Sequence, residues 1–276
     1  MSYSTLVSPA TLASHLDDPG WVIVDCRFSL DDTEAGRRAY REAHIPGAVY
    51  AHLDETLSGP PVTDRGRHPM PTPAALTTLF SGVGIGPDTQ VVAYDDFGGA
   101  IAARLWWMLQ YMGHEAAAVL DGGWPTWQAA GYPTTGGVES NAAAAFRGEP
   151  RQGWLVLRDE VPEVRPLIDS RAPERYRGEE EPYDPVAGHI AGAVNYHYRQ
   201  NLDEDGRFLP ADTLRRQLGA VLGDAGPATA VYYCGSGVTS CHNLLAQAHA
   251  GLGMARLYAG SWSEWCTVGE NDELGK

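Results

Sequence analysis

Lysine is almost absent from this 276-residue chain: of its 20 basic residues 19 are arginine, and only Lys276 is lysine. Any anionic ligand must therefore be held by guanidinium groups, whose planar forks suit a carboxylate or a sulfonate. Positive charge is scarce overall. Twenty basic side chains face 35 acidic ones, a net charge of -15, which argues against nucleic acid or an anionic membrane as the main partner. Cys26, Cys234, Cys241 and Cys266 lack the paired spacing of a zinc site and are too few for a disulfide framework. No metal or cofactor is expected, and a reducing compartment fits best. No eighteen apolar residues run together, and the N-terminal MSYSTLVSPATLASHL lacks the basic region and cleavage site of a signal peptide. The expectation is a soluble, cytoplasmic protein.

Length suits two domains of about 130 residues each, and the sequence is written twice. WVIVDCRF (21–28) answers PLIDSRA (166–172), each an apolar strand running into Asp and Arg two residues apart. AHIPGAVY (43–50) answers GHIAGAVN (188–195), FSGVGIGPDTQVVAYDD (80–96) answers LGAVLGDAGPATAVYYCG (218–235), and LDGGWPTW (120–127) answers YAGSWSEW (258–265). The interval from Asp25 to His44 is 19 residues and that from Asp169 to His189 is 20. Within each half, short apolar strands alternate with helical segments opened by Ser8-Pro9 or Thr72-Pro73, where proline suits the first turn. Such alternation implies an α/β fold, a mainly parallel sheet with helices on both faces, whose ligands bind beyond the carboxyl ends of the strands. The expected division is a first domain over 1–140, a connection over 141–153 and a second domain over 154–276. The alanine run before the boundary could equally form a short helix.

The most informative segment is AVYYCGSGVTS, 230–240. An apolar strand ends at Cys234, small residues follow, and SCHNLLAQAHAG continues with helical spacing, with Thr239 or Ser240 placed to cap it. Gly235 and Gly237 free the backbone to turn successive N–H groups toward the Cys234 sulfur. A thiolate held by convergent amides at a helix N-terminus is a nucleophile near neutral pH. Superimposing the halves sets Asp95, in AYDDFGG, opposite Cys234. The first half then serves as scaffold and as one wall of a cleft.

The two-fold repeat, the Asp-x-Arg strand end, the His-Ile-x-Gly-Ala turn, the cysteine confined to the second copy and the Gly-x-Trp near each domain end together resemble the tandem-domain rhodanese family of sulfurtransferases. The loop Cys234-Gly235-Ser236-Gly237-Val238-Thr239 is similar to that of the 3-mercaptopyruvate sulfurtransferases. Thiosulfate-using members carry basic residues where Gly235 and Ser236 stand here. The resemblance implies sulfur transfer through a persulfide on Cys234, from a small-molecule donor to a thiophilic acceptor such as cyanide, a small thiol or a reduced thioredoxin-like protein. Gly235, Gly237, Val238 and Thr239 would cradle the reacting groups.

By the same resemblance Arg175 matches a substrate-binding arginine. A second one, usual shortly before the Gly-His-Ile turn, is missing from EPYDPVAGHI, where Tyr183 stands. Arg175 and Arg177 either clamp the donor carboxylate or form a solvated face with Glu179, Glu180 and Glu181. Ser236 belongs to a proton relay or only shapes the loop. His44 either moves a proton or, like its duplicate His189, ties down a turn. Arg67 and His68, in GRHPMP, are further candidates to line the site. Asp25, Asp169 and the four tryptophans at 124, 127, 262 and 265 read as structural, and Cys241 as a buried thiol. Three rival readings stand beside the main one: a thiosulfate sulfurtransferase, a non-enzymatic sulfur carrier, and a cysteine-dependent phosphatase. The last lacks its anion-holding arginine, because Ser240 takes that place.

Overall fold

A computed structural model describes residues 2–62 and 64–267, together with a strand at 274–275. The outer limit of the second expected domain, at 276, lies outside the described residues. The chain divides into two compact units that do not follow chain order strictly. The first comprises Met1–Ser58, Pro71–Arg151 and Glu204–Phe208, and the second Gly59–Met70, Gln152–Asp203 and Leu209–Lys276.

The first unit is built on strands β1 (Leu6–Val7), β2 (Trp21–Asp25), β3 (Val49–Tyr50), β4 (Gln90–Tyr94) and β5 (Ala117–Leu120), in the order β1-β5-β4-β2-β3. Every pairing is parallel, with Val24 opposite Ala93 and Val92 opposite Ala118. Its helices are α1 (Pro9–Ala13), α2 (Ala35–Glu42), α3 (Pro73–Gly82), α4 (Ala102–Tyr111) and α5 (Gly123–Ala129). Proline opens α1 and α3 as the dipeptides suggest: Ser8 Oγ accepts from Thr11 N–H and Thr72 Oγ1 from Ala75 N–H, each satisfying a donor with no partner inside the helix.

The second unit repeats the plan with β6 (Leu167–Asp169), β7 (His189–Ile190), β8 (Val194–Asn195), β9 (Val231–Tyr233), β10 (Arg256–Leu257) and β11 (Leu274–Gly275), and with α6 (Pro173–Tyr176), α7 (Ala211–Leu222), α8 (Thr239–His249) and α9 (Ser261–Trp265). Its parallel sheet runs β10-β9-β6-β8, and a single parallel bridge from Leu155 to Leu257 stands where β1 pairs with β5 in the other copy. β11 pairs antiparallel with β7. Among the described residues no helix is long and apolar enough to cross a membrane.

Helices α4 and α8 are buried on nearly every side, from Ala102 to Gln110 and from Ser240 to Gln247. Each follows directly on the loop at the end of the central strand, so packing fixes the helix N-terminus under that loop. The 141–153 stretch contains no regular element, and its alanines form no helix. It is nonetheless tied to the first unit: Ala144 N–H donates to Ser81 O, and buried Phe146 lies edge-on to Phe80.

One ionic device occurs in both units. Asp25, fully buried at the end of β2, receives the backbone N–H of Arg27 at 2.9 Å and its Nη2 at 2.7 Å; the same Nη2 reaches Ala43 O, and the guanidinium lies 4.5 Å from the Trp124 ring. Asp169 and Arg171 repeat this with Gly188 O and Trp262, the last at 4.8 Å. Strand end, His-Ile turn and tryptophan helix are thus gathered onto one guanidinium, which is why Asp-x-Arg recurs. Arg27→Met leaves a buried carboxylate without its cation, and it should lower stability by about 3–5 kcal/mol, read as a fall in the urea midpoint of the first unit.

Candidate active site

Strand β9 delivers Cys234 to the carboxyl edge of the sheet, with its side chain 2% exposed. The chain then turns sharply at Gly237, whose φ of +76° and position close against Ala259 O, where a Cβ would come within 2.3 Å, admit only glycine. Gly237 N–H donates to Cys234 Sγ at 3.1 Å and Ser240 Oγ–H at 3.6 Å. Val238, 5% exposed, takes the N-cap position of α8. Neither Thr239 nor Ser240 caps the helix; both hydroxyls act on the sulfur instead.

Burial alone would push the Cys234 thiol up. The hydroxyl of Thr239, the amides of Ser236 and Ser240 and the hydroxyl of Ser240 outweigh it and hold the thiol below its ordinary value of 9.0. The other cysteines go the opposite way. Desolvation raises Cys26 well above that value, and desolvation with the nearby Asp184 charge raises Cys266 to about 11. Cys241 is buried and donates its S–H to Gly237 O.

Three side chains from distant parts of the sequence complete the surroundings, all within the second unit. His68 Nδ1 stands 2.7 Å from Ser236 Oγ, both residues buried. Arg67 and Arg175 converge on Gly235. A Cβ there would sit 3.1 Å from Arg67 Nη2 and 3.3 Å from both terminal nitrogens of Arg175, so glycine at 235 leaves room for two guanidiniums against the loop. The loop itself carries no cation, but its surroundings supply two. Arg67 brings a second guanidinium to Gly235, although the sequence before the Gly-His-Ile turn has none.

These arginines end a line of alternating charges. Asp169 pairs with Arg171, Arg171 with Glu181, Glu181 with Arg175 at 2.6 Å, Arg175 with Asp184 at 3.4 Å, and Asp184 with Arg67. Glu181 and Asp184 are each only 3% exposed. Tyr183 presents its ring to both Arg67 and Arg175, at 5.7 and 5.1 Å. Arg67 Nε is buried and has no acceptor among the described residues.

Other expected site residues lie elsewhere. Arg177 is 49% exposed and paired with Glu179 and Glu174, so it forms the solvated face and not the clamp. His44 belongs to the first unit, wholly buried, its Nδ1 2.6 Å from Tyr40 O and its ring stacked on Tyr40 at 4.2 Å. His189 does the same with Tyr176 in the second unit. The repetition favours the turn-tying role for both, while His44 Nε2, buried and without a hydrogen-bond partner among the described residues, lies 3.9 Å from Glu139 Oε1. Glu34, His52 and Glu55 are close enough together to hold a metal. Both His52 nitrogens are already engaged, by Asp54 N–H and Thr33 O, and both acids face Arg37.

The loop of the first unit is a closed version of the same device. Asp95, fully buried, receives Phe97 and Gly99 N–H on Oδ1 and Ile101 and Ala102 N–H on Oδ2, all at 2.7–2.9 Å. Burial still leaves this carboxyl above its ordinary value against the pull of the four amides. The amide cradle is thus kept in both copies, filled by a carboxylate in one and by sulfur in the other.

Two outcomes are expected. The rate of iodoacetamide labelling of Cys234 should rise with pH through a midpoint below the ordinary 9.0, because the thiolate is the reacting form, while Cys26 and Cys266 stay unlabelled at neutral pH; peptide mass mapping reads both. Asp95→Ala leaves four amides unpaired, and it should lower the thermal midpoint, with added formate restoring part of the loss.

The rhodanese-like domain family matches residues 8–130 and again 152–267. A Pseudomonas aeruginosa protein named "Probable 3-mercaptopyruvate sulfurtransferase" is 46% identical, over 97% of this chain and 96% of its own length. The thiosulfate sulfurtransferase of Rattus norvegicus is 33% identical over 95% of this chain and 92% of its own. The solved structure of 3-mercaptopyruvate sulfurtransferase from Leishmania major superimposes with a TM-score of 0.85 at 33% identity, covering 95% of this chain and 74% of that one. The chain therefore belongs to the rhodanese family of sulfurtransferases, with two rhodanese-like domains in tandem.

Proposed function

We propose that the chain carries sulfur from 3-mercaptopyruvate to a thiophilic acceptor through a persulfide on Cys234. The observation that carries this reading is the Cys234 sulfur held by Gly237 N–H and the Ser240 hydroxyl, which depress its thiol, in a loop where two guanidiniums converge on the next residue, Gly235. The Cys234 thiolate attacks the donor sulfur. The S–S bond forms as the donor C–S bond breaks, and that electron pair passes to carbon, leaving pyruvate enolate, which takes up a proton to become pyruvate. The persulfide, acidic and anionic, inherits the amides that held the thiolate. An acceptor such as cyanide, a small thiol or a reduced thioredoxin-like protein then attacks the outer sulfur and returns Cys234 as thiolate.

Arg67 and Arg175 receive the donor carboxylate, with Gly235 leaving the space and Val238 and Thr239 closing the loop behind the sulfur. Ser236, set by His68, donates to the donor carbonyl and draws charge onto its oxygen as the enolate develops. The four unbridged cysteines support placement in a reducing cytoplasm.

Thiosulfate is the second reading, and a specific observation favours it. The two guanidiniums at Gly235 offer a sulfonate the cations that the loop sequence lacks. Their partners support the first donor, because Glu181 and Asp184 already offset the two cations, so the larger desolvation cost of a dianion is repaid less fully than that of a carboxylate monoanion. With cyanide as common acceptor, kcat/KM should be larger for 3-mercaptopyruvate than for thiosulfate. Arg175→Ala should raise KM for mercaptopyruvate by about tenfold or more with a smaller effect on kcat, and His68→Gln should lower kcat by roughly 10²-fold. Preference for thiosulfate in the unmodified protein would transfer the assignment to that donor.

A further inference from the structure

Ser261 holds a backbone conformation that serine rarely adopts. Its φ is +56°, one of two positive values at non-glycine positions among the described residues, the other being in the exposed Asp64 turn. Ser261 is fully buried and opens α9. A left-handed backbone at a buried residue with a Cβ is strained, and it persists only where the surroundings enforce it.

The internal repeat supplies the control. LDGGWPTW and YAGSWSEW align Gly123 with Ser261, and Gly123 has a φ of +55°, the same value at a residue that adopts it freely. A Cβ on Gly123 would fall 2.3 Å from Asp95 O, so that copy excludes a side chain. The fold therefore needs only glycine at this point. Serine stands there in the copy that carries the nucleophile, and its side chain is fully occupied: Ser261 Oγ accepts from Cys234 N–H at 3.1 Å and donates to Tyr258 O at 2.9 Å.

We propose that Ser261 is a positioning residue for the Cys234 nucleophile: its hydroxyl, held by the left-handed turn, fixes the peptide before Cys234 so that the Cα–Cβ bond directs sulfur into the amides of Ser236, Gly237 and Ser240. The next two backbone groups are gripped by the same segment, with Trp262 N–H on Cys234 O at 3.0 Å and Ser263 N–H on Gly235 O at 2.8 Å. The first of these has its copy in Trp124 N–H on Asp95 O, whereas the Ser261 hydroxyl has none because Gly123 carries no side chain. Ser263 Oγ also accepts from Arg67 N–H at 3.0 Å, so one short stretch sets both the sulfur and the loop that carries Arg67 and His68.

The inference rests on the reading of Cys234 as a nucleophile, and the test separates the two. Full-length Ser261→Gly and Ser261→Ala proteins are labelled with iodoacetamide across a pH series and melted in parallel. Both lose the hydroxyl, and only Ala keeps the strain. In both, labelling of Cys234 at neutral pH should slow by about tenfold, with the midpoint moving up toward that of an ordinary thiol. Ser261→Gly should melt above Ser261→Ala. A glycine variant whose labelling midpoint and kcat stay within about twofold of the unmodified protein, below the change a misplaced reacting group produces, overturns the role of Ser261 alone. Ordinary thiol titration in the unmodified protein overturns it together with the nucleophile.

Discussion

Inward-facing amides cannot be left empty in a protein interior, because each buried N–H without an acceptor costs as much as a lost hydrogen bond. This constraint shapes the loop after the central strand in both units. In the first unit Asp95 satisfies four amides with its own carboxylate. In the second the acceptor is the Cys234 sulfur, a softer and weaker one, so the loop recruits hydroxyls from Thr239 and Ser240 as well. On the proposed reading, nucleophilicity follows from filling the cradle with an atom that can also leave it, whereas a carboxylate fills it permanently.

The cradle is held in place by less specialised packing. Helices α4 and α8 are buried almost all round, so the loops before them have nowhere to move. The Asp-x-Arg device draws the adjacent strand end, a carbonyl of the His-Ile turn and a tryptophan ring together in each copy. A single guanidinium makes all of these contacts because its donors diverge in one plane while its faces accept an aromatic ring. Lysine could not, which fits a chain with one lysine in all.

Much of this was legible in the sequence and some of it could not be. Repeated segments revealed two copies, alternation of apolar strands and proline-led helices revealed parallel sheets, and the glycines of the Cys234 loop pointed to an amide turned toward its sulfur. The partners were harder to find. His68 meets Ser236 across 168 positions, and Arg67 reaches Gly235 from a segment, Gly59–Met70, that precedes the second repeat yet clusters with it. Spacing reports only neighbours along one element, so these residues were visible as candidates but not as a constellation. His44 stayed open because a histidine at a turn looks alike whether it ties a carbonyl or moves a proton. Arg177 could not be told from Arg175 in the sequence, because only the fold shows that Arg175 is half-buried against Glu181 while Arg177, at the cap of the same short helix, stands in solvent. The strain at Ser261 had one trace in the sequence, the glycine opposite it at 123.

The alternating line Asp169, Arg171, Glu181, Arg175, Asp184, Arg67 has a bearing on how the chain can diverge. Each interior member compensates a neighbour on either side, so losing one leaves two charges of the other sign with one partner fewer each. Loss of an acid together with an adjacent base should therefore disturb this line less than loss of either alone, since the balance of charge is kept.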